Sequence, residues 1–266
     1  MSLKLETNKI KNYFNYDANR FANNRWFGSQ SAQYDYFITK EILLENLNFF
    51  SMDKVLEIGC GPGVWTKLLS QNVALVKAID ISNNMVKEAK LRVQERNVIF
   101  EVADFLKYYD NQKYDKIISI RAIEYMSDKF NVVNKIYNFL KPGGKVIIIT
   151  KTTPTFFTFR SCLWNFLKTL LMIKKKEKNS EPKIIMSKID PQELKKLFYL
   201  CGFKSVKVSP IILRLPWFSR GNYLLPFGHI LFKFCNIIAK KVQRFPAFLN
   251  YIFLFFSESY LIQAEK

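Results

Sequence analysis

Short apolar runs alternate with amphipathic stretches between residues 54 and 150. The runs are apolar at nearly every position, which is typical of strands buried on both faces of a sheet. They predict strands at 55–58, 75–79, 98–102, 115–120 and 145–150. The stretches between them have the helical period and predict helices at 64–71, 83–95 and 129–139. This alternation predicts an α/β fold in which helices cover both faces of a mostly parallel sheet.

The pattern changes on both sides of this block. Residues 1–49 predict a helical arm, with a polar and aromatic segment followed by an amphipathic helix from Tyr34 to Asn48. After the block, a helix is predicted at 191–203 and strands at 203–209 and 259–264.

Two apolar, aromatic stretches, 151–188 and 210–257, are far longer than the turns that usually join neighbouring strands. We interpret both as helical cap insertions over the sheet edge. The remaining core, 50–209 and 258–266, then forms a single domain that contains both insertions.

The first predicted strand runs into a glycine loop, VLEIGCGPG, from Val55 to Gly63. Glycine adopts positive φ easily and lets a ligand lie against the backbone, and the helix that follows offers free N–H groups. The dinucleotide spacing G-x-G-x-x-G is excluded because position 64 is Val64. A P-loop is excluded because G-K-[ST] is absent.

The motif E-x-G-x-G-x-G, from Glu57 to Gly63, resembles the first motif of the class I methyltransferases that use S-adenosyl-L-methionine. Asp80 ends the next strand, Asp104-Phe105 follow the third, and LKPGG before the fifth is also similar to this family. The resemblance implies a Rossmann-like fold with a mostly parallel seven-stranded sheet, helices on both faces and an antiparallel last strand. It also implies S-adenosyl-L-methionine as the cofactor.

The resemblance further implies a role for each matching residue. Gly59, Gly61 and Gly63 would lie against the methionine part of the cofactor, and Glu57 would hold its ammonium. Asp80 would bind the ribose, Asp104 would accept from the adenine amino group, and Ile81, Met85 and Phe105 would contact adenine. Arg121 would lie near the methyl group.

The N-terminal segment resembles an entry found in many small-molecule methyltransferases, Y-F-(D/N)-x-x-A-x-x-(F/Y). Tyr13, Phe14, Ala18, Phe21 and Trp26 fit this pattern. The resemblance implies an arm that closes over the cofactor and excludes water. The alternative is an N-terminal helix that packs on the core without touching the site.

The general base is less defined. Relatives that methylate quinone or lipid precursors often have a histidine near the position of Tyr125, but this chain has Glu124-Tyr125 there. Glu124, Tyr125 and the single histidine, His229, are the candidates, although a histidine in an apolar stretch is usually structural. A carboxylate or a readily ionised phenol as acceptor would require no strong base.

Charge is distributed unevenly in this chain of net charge +19. Residues 151–266 contain 20 Lys or Arg and only 6 Asp or Glu. This excess favours an anionic partner, such as a phosphate-bearing or amphiphilic small molecule, an acidic membrane surface or nucleic acid, although it could serve solubility alone.

The numbers of cysteines and histidines, together with hydropathy, indicate the cellular compartment and whether a metal site or a membrane-spanning segment is expected. The four cysteines show no C-x-x-C spacing and there is one histidine, so we expect a reducing compartment and no metal site. No signal peptide and no membrane-spanning run is expected, which indicates a cytoplasmic protein that could contact a membrane peripherally.

The sequence thus predicts methyl transfer, to oxygen more than to nitrogen or carbon, of a small or lipid-linked metabolite. One alternative is a methyltransferase acting on RNA or another nucleic acid, which the absence of [DN]-P-P-[FYW] disfavours. The other is a cofactor-binding partner subunit without catalysis. The acceptor and the oligomeric state are left open.

Overall fold

The computed structural model describes residues 2–151, 186–213 and 257–266, together with Ile237 and Leu254. Its described helices and strands follow in chain order: α1 (Ser2–Ala22), a π-helical turn (Asn23–Phe27), α2 (Gln30–Leu47), β1 (Lys54–Ile58), α3 (Val64–Ser70), β2 (Leu75–Asp80), α4 (Asn83–Arg92), β3 (Val98–Val102), β4 (Tyr114–Ile120), a 3-10 turn (Ile123–Tyr125), α5 (Lys129–Phe139), β5 (Leu140–Lys151), α6 (Pro191–Leu200), β6 (Ser205–Leu213) and β7 (Ser257–Glu265).

The strands form one seven-stranded sheet in the order β3-β2-β1-β4-β5-β7-β6. β3, β2, β1, β4 and β5 are parallel, whereas β7 pairs antiparallel with both β5 and β6. The predicted mostly parallel seven-stranded sheet with an antiparallel last strand is therefore confirmed. The strand order reverses between β1 and β4, which is where an open α/β sheet binds its ligand.

Side-chain alternation in the central strands builds a core on each face of the sheet. In β1, Leu56 and Ile58 point into one core, which includes Phe139 of α5 and Phe198 of α6. Val55 points into the other core, which includes residues of α2 and α3. Each central strand is apolar at nearly every position because it contributes side chains to both cores.

Element boundaries differ from the prediction where the backbone is shaped by pairing. β5 begins at Leu140 and so includes LKPGG, because Leu140 pairs with Tyr114 before a register shift leads to the pair Lys116–Lys145. α4 ends at Arg92, three residues earlier than predicted. β6 extends to Leu213, since β7 offers it partners as far as Ser257.

Both predicted cap insertions lie almost wholly outside the described residues, as does His229. Across the ranges that are described, no helix combines the length and the apolar character needed to cross a membrane.

Candidate active site

A pocket of about 1090 Å³, including open solvent at its mouth, lies at the carboxyl ends of β1, β2, β3 and β4. The glycine loop, the ends of β2 and β3 and the turn after β4 form its walls, and the N-terminal arm forms its cover. Nine predicted site residues line it: Gly59, Gly61, Asp80, Ile81, Met85, Asp104, Phe105, Arg121 and Tyr125. Glu57, Gly63 and Glu124 do not.

Gly59, Gly61 and Gly63 all have positive φ, but the atoms around them differ. A Cβ on Gly59 would overlap the Cβ of Ala122, so this glycine allows close packing of two loops. A Cβ on Gly61 would meet only Phe21 Cε1, at 3.9 Å. A Cβ on Gly63 would lie 3.0 Å from Cα of Ala89 in α4. Gly61 is therefore the glycine whose open face belongs to the pocket.

Asp80 ends β2 and is held by backbone N–H groups on both sides. Its Oδ2 accepts from the N–H of Gly61 at 2.8 Å, and its Oδ1 accepts from the N–H of Ser82 at 2.8 Å. Burial raises the pKa of Asp80 to about 6, although these hydrogen bonds oppose the shift. The carboxylate thus faces the pocket in one fixed orientation.

Glu57 points away from the pocket because it lies on the same face of β1 as Val55. It is 2% exposed and accepts a hydrogen bond from Thr66 Oγ1 at 2.6 Å. Burial raises the pKa of Glu57 to about 8, with the hydrogen bond from Thr66 opposing the shift. In this position Glu57 fixes α3 against β1 behind the glycine loop.

The turn after β3 contributes a polar and an apolar group to the pocket. The carboxylate of Asp104 accepts from the N–H of Leu106 at 3.1 Å. Its Oδ2 lies 3.9 Å from Nζ of the exposed Lys107, which is too long for a hydrogen bond and leaves acceptor capacity for a ligand. Phe105 is 3% exposed and packs near Phe139, with ring centroids 6.3 Å apart. Asp104 is thus available to a ligand from a wall that the core makes rigid.

A buried polar cluster lies under the turn after β4. Arg121 has φ +60°, in the left-handed region that costs a residue with a Cβ about 1–2 kcal/mol. Its Nε lies 3.3 Å from Glu124 Oε1, and its Nη1 donates to Ser259 Oγ at 2.9 Å. Glu124 also accepts from Thr150 Oγ1 at 2.8 Å. The cluster joins the ends of β4, β5 and β7, so the turn keeps one conformation.

Tyr125 is the residue of this turn that reaches the pocket with an aromatic ring. Its ring meets Phe14 of α1 edge to face, with centroids 5.0 Å apart. Burial, followed by the nearby Glu124 carboxylate, raises the pKa of Tyr125 to about 12. At neutral pH its hydroxyl is therefore protonated and can donate a hydrogen bond.

Lys129 supports the same turn from below. Its ammonium donates to the carbonyl of Ile123 at 2.9 Å and also to that of Met126. Burial lowers the pKa of Lys129 to about 8, and the Glu124 carboxylate opposes the shift. Lys129 thus joins the two ends of the 3-10 turn, and at Ile123 it adds to the backbone hydrogen bond from the N–H of Met126.

The arm covers the pocket, as one of the two sequence interpretations requires. Ile10, Phe14, Phe21 and Trp26 all line the pocket. Ala18 is 2% exposed and buried in the arm's packing. The sequence did not point to Asn15, whose side chain and backbone bond to Ser82 and Asn84, because asparagine is frequent in this chain and marks no motif.

Comparison with known proteins assigns the domain. Residues 55–144 match the family described as "Methyltransferase domain". The chain is 30% identical over 149 residues to malonyl-[acyl-carrier protein] O-methyltransferase 2 of Ilyobacter polytropus, covering 53% of this chain and 58% of that protein. It is 27% identical to demethylmenaquinone methyltransferase of Oceanobacillus iheyensis, covering 62% and 76%. The match to the first relative thus spans little more than half of that protein.

Two solved structures share the fold. One is the Haloferax volcanii Trm112 methyltransferase activator in complex with a methyltransferase, with TM-score 0.61, 17% identity and coverage of 95% and 96% of the two chains. The other is magnesium protoporphyrin IX methyltransferase of Synechocystis PCC 6803 with bound S-adenosylhomocysteine, with TM-score 0.58, 16% identity and coverage of 98% and 99%. Sequence match and fold agree: the chain carries a class I S-adenosylmethionine-dependent methyltransferase domain.

Proposed function

We propose that this protein transfers a methyl group from S-adenosyl-L-methionine to an oxygen atom, preferably a carboxylate oxygen, of a small or carrier-linked metabolite. The observation that carries the proposal is a single pocket that joins the Asp80 and glycine-loop wall to a second wall formed by Arg121, Tyr125 and Phe14. Because both walls line the same pocket, an acceptor held by the second wall would lie beside a cofactor held by the first.

The first wall fits the cofactor. Gly61 presents open backbone, and each oxygen of Asp80 accepts one backbone N–H and retains a lone pair for a ribose hydroxyl. Ile81 and Met85 offer apolar contact for adenine, and Asp104 offers an acceptor for its amino group. When bound, the cofactor supplies a methyl group already activated by the sulfonium. Asp80, Gly61 and Asp104 would orient it.

The second wall favours an acceptor that is already ionised. Among the described pocket residues Arg121 has the one positive charge, and Tyr125 remains a hydrogen-bond donor at neutral pH. Glu124 is buried under the turn, in an ion pair with Arg121, and does not reach the pocket. These groups suit an anionic oxygen that needs alignment and exclusion of water, and no proton abstraction.

The relatives support oxygen as the target without deciding it. The Ilyobacter relative is malonyl-[acyl-carrier protein] O-methyltransferase 2, and a malonyl group has a free carboxylate. Because the match spans little more than half of that protein, the acceptor of this chain is proposed from the pocket as much as from the relative.

Radiolabelled S-adenosylmethionine tests the proposal. The protein is incubated with malonyl-[acyl-carrier protein], with demethylmenaquinol, with phosphoethanolamine and with total RNA, and Asp80→Ala serves as the inactive control. We expect label in the malonyl product, released by mild alkali as a methyl ester is. Label in RNA or in an alkali-stable product would overturn carboxylate methylation. Binding of S-adenosylhomocysteine without transfer to any acceptor would favour a non-catalytic subunit.

A further inference from the structure

One asparagine fastens the arm to the core. Asn15 Oδ1 accepts a hydrogen bond from Ser82 Oγ at 2.7 Å and from the N–H of Asn84 at 3.3 Å. The backbone carbonyl of Asn15 accepts from Asn84 Nδ2 at 3.0 Å. Ser82 is the N-cap of α4 and Asn84 lies in its first turn, so all three bonds join α1 to the start of α4.

Ser82 connects this contact to the proposed ribose carboxylate. Its side chain is fully buried, and its Oγ accepts from the N–H of Met85 at 3.1 Å while donating to Asn15. Its own N–H donates to Asp80 Oδ1 at 2.8 Å. An unbroken hydrogen-bonded chain therefore leads from Asp80 through Ser82 to the arm.

On the arm, the residue before Asn15 covers the pocket. Phe14 lines the pocket and packs edge to face on Tyr125 and on Phe21, with centroid distances of 5.0 Å and 6.0 Å. Because Phe14 and Asn15 are adjacent in one helix, fixing the Asn15 side chain also fixes the height of the Phe14 ring above the pocket.

We propose that Asn15 is a positioning residue that couples cofactor binding at Asp80 to closure of the arm over the pocket. The inference rests on the proposed function, since it takes the cofactor ribose as the ligand of Asp80. A ligand that holds the Asp80 carboxylate holds Ser82 as well, and Ser82 holds Asn15. Coupling between two sites is reciprocal. Releasing the arm from Ser82 must therefore weaken cofactor binding by the same free energy by which cofactor binding stabilises the closed arm.

The test combines hydrogen exchange of the α1 amides with titration of S-adenosylhomocysteine. Asn15→Ala removes the acceptor of two hydrogen bonds. Asn84→Ala removes the hydrogen bond that Asn84 Nδ2 of α4 donates to the backbone carbonyl of Asn15. Asn84 does not line the pocket, so the pocket lining is unchanged. Asn12→Ala, an exposed asparagine of the same helix, is the matched control.

In the wild type, S-adenosylhomocysteine should slow exchange in α1. In Asn15→Ala, exchange in the free protein should be faster, and the dissociation constant should rise about 5- to 50-fold, as expected for one or two lost hydrogen bonds. Asn84→Ala should change both quantities in the same direction by less, and Asn12→Ala should change neither. The midpoint of thermal unfolding should stay near that of the wild type, since the arm's loosening is local.

Two results would overturn the coupling while leaving the cofactor assignment intact. One is wild-type affinity in Asn15→Ala together with faster arm exchange, which would make Asn15 a structural contact only. The other is weakened affinity with unchanged arm exchange, which would mean that Asn15 acts through α4 alone. Failure of the folded wild type to bind S-adenosylhomocysteine would instead overturn the proposed function and this inference with it.

Discussion

The carboxylate of Asp80 supports the glycine loop directly, because its Oδ2 accepts the N–H of Gly61 at 2.8 Å. The end of β2 thus holds in place the backbone that follows β1. A substitution at Asp80 should therefore change two things at once, the ribose contact and the shape of the loop.

Asp80→Ala should severely weaken the binding of S-adenosylhomocysteine. Hydrogen bonds to a charged group contribute about 1.5–3 kcal/mol each, and the variant loses those to the ribose as well as the support of Gly61. Isothermal titration calorimetry measures the change. Glu88→Gln on α4, which does not line the pocket, is the control. Wild-type affinity in Asp80→Ala would refute the ribose assignment.

Cofactor binding should depend on the ionisation of Asp80. The pKa of this carboxyl is raised to about 6 by burial, so in the free protein it becomes protonated as pH falls through 6. A protonated carboxyl loses acceptor capacity, and the affinity for S-adenosylhomocysteine should fall between pH 7 and pH 5. Titrations at several pH values check this. Asp80→Asn, which cannot ionise, should bind weakly with no pH dependence in this window.

Glu57 should make the free protein less stable as pH rises. Its folded pKa, about 8, lies above the ordinary value of 4.5, so its contribution is fully present below about 4.5 and is lost as pH rises through 8. Denaturant titrations from pH 5 to pH 9 should show this decline. Glu57→Gln keeps an acceptor for Thr66 and cannot ionise, so its profile should be flatter. A wild-type profile that rises over the same range would contradict the assignment.

Two glycines of the loop should respond differently to alanine. Gly59→Ala should lower the thermal midpoint strongly, because its Cβ would overlap that of Ala122. Gly61→Ala should fold with a loss of roughly 1–2 kcal/mol for its positive φ, since its Cβ meets open space, and should weaken the cofactor instead. Thermal unfolding and calorimetry on both variants separate packing from ligand contact. If Gly59→Ala and Gly61→Ala changed the thermal midpoint equally and the cofactor affinity equally, the two glycines would have the same role.

Arg121 and Glu124 should behave as a coupled buried pair. Removing one partner leaves an uncompensated buried charge, so Arg121→Met or Glu124→Gln alone should cost about 3–5 kcal/mol of unfolding free energy. The double variant should cost clearly less than the sum. Urea unfolding of the four proteins completes the cycle. Additive losses would mean that the two side chains do not interact in solution.

The strands and the position of the pocket followed from the sequence because they depend on local signals. The apolar runs at 55–58 and 115–120 predicted buried strands, and glycines at 59 and 61 mark the loop. Glu57 could not be placed in the same way. The motif gave its position in the chain, but the alternation of β1 directs its side chain to Thr66, behind the loop.

The contacts of Asn15 and Arg121 depend on residues distant in the chain. Asn15 bonds to Ser82, and Arg121 bonds to Ser259, which is 138 residues away. No periodicity or motif connects such pairs, since their proximity results from how α1 and β7 pack on the finished sheet. The cap insertions lie almost wholly outside the described residues, as does His229, so their roles stay predictions.

The position of β7 has a consequence for how the protein is made. Among the described strands β6 pairs with β7 alone, and β7 lies between β5 and β6 although it follows both in the chain. When β6 has been synthesised and β7 has not, β6 has no strand partner and the edge of β5 that β7 covers is open. Until residues 257–265 emerge, neither β5 nor β6 has the partner that β7 provides. A chain cut short before Ser257 should keep the pocket residues of β1 to β4 and still aggregate, because the strand that closes the sheet is missing.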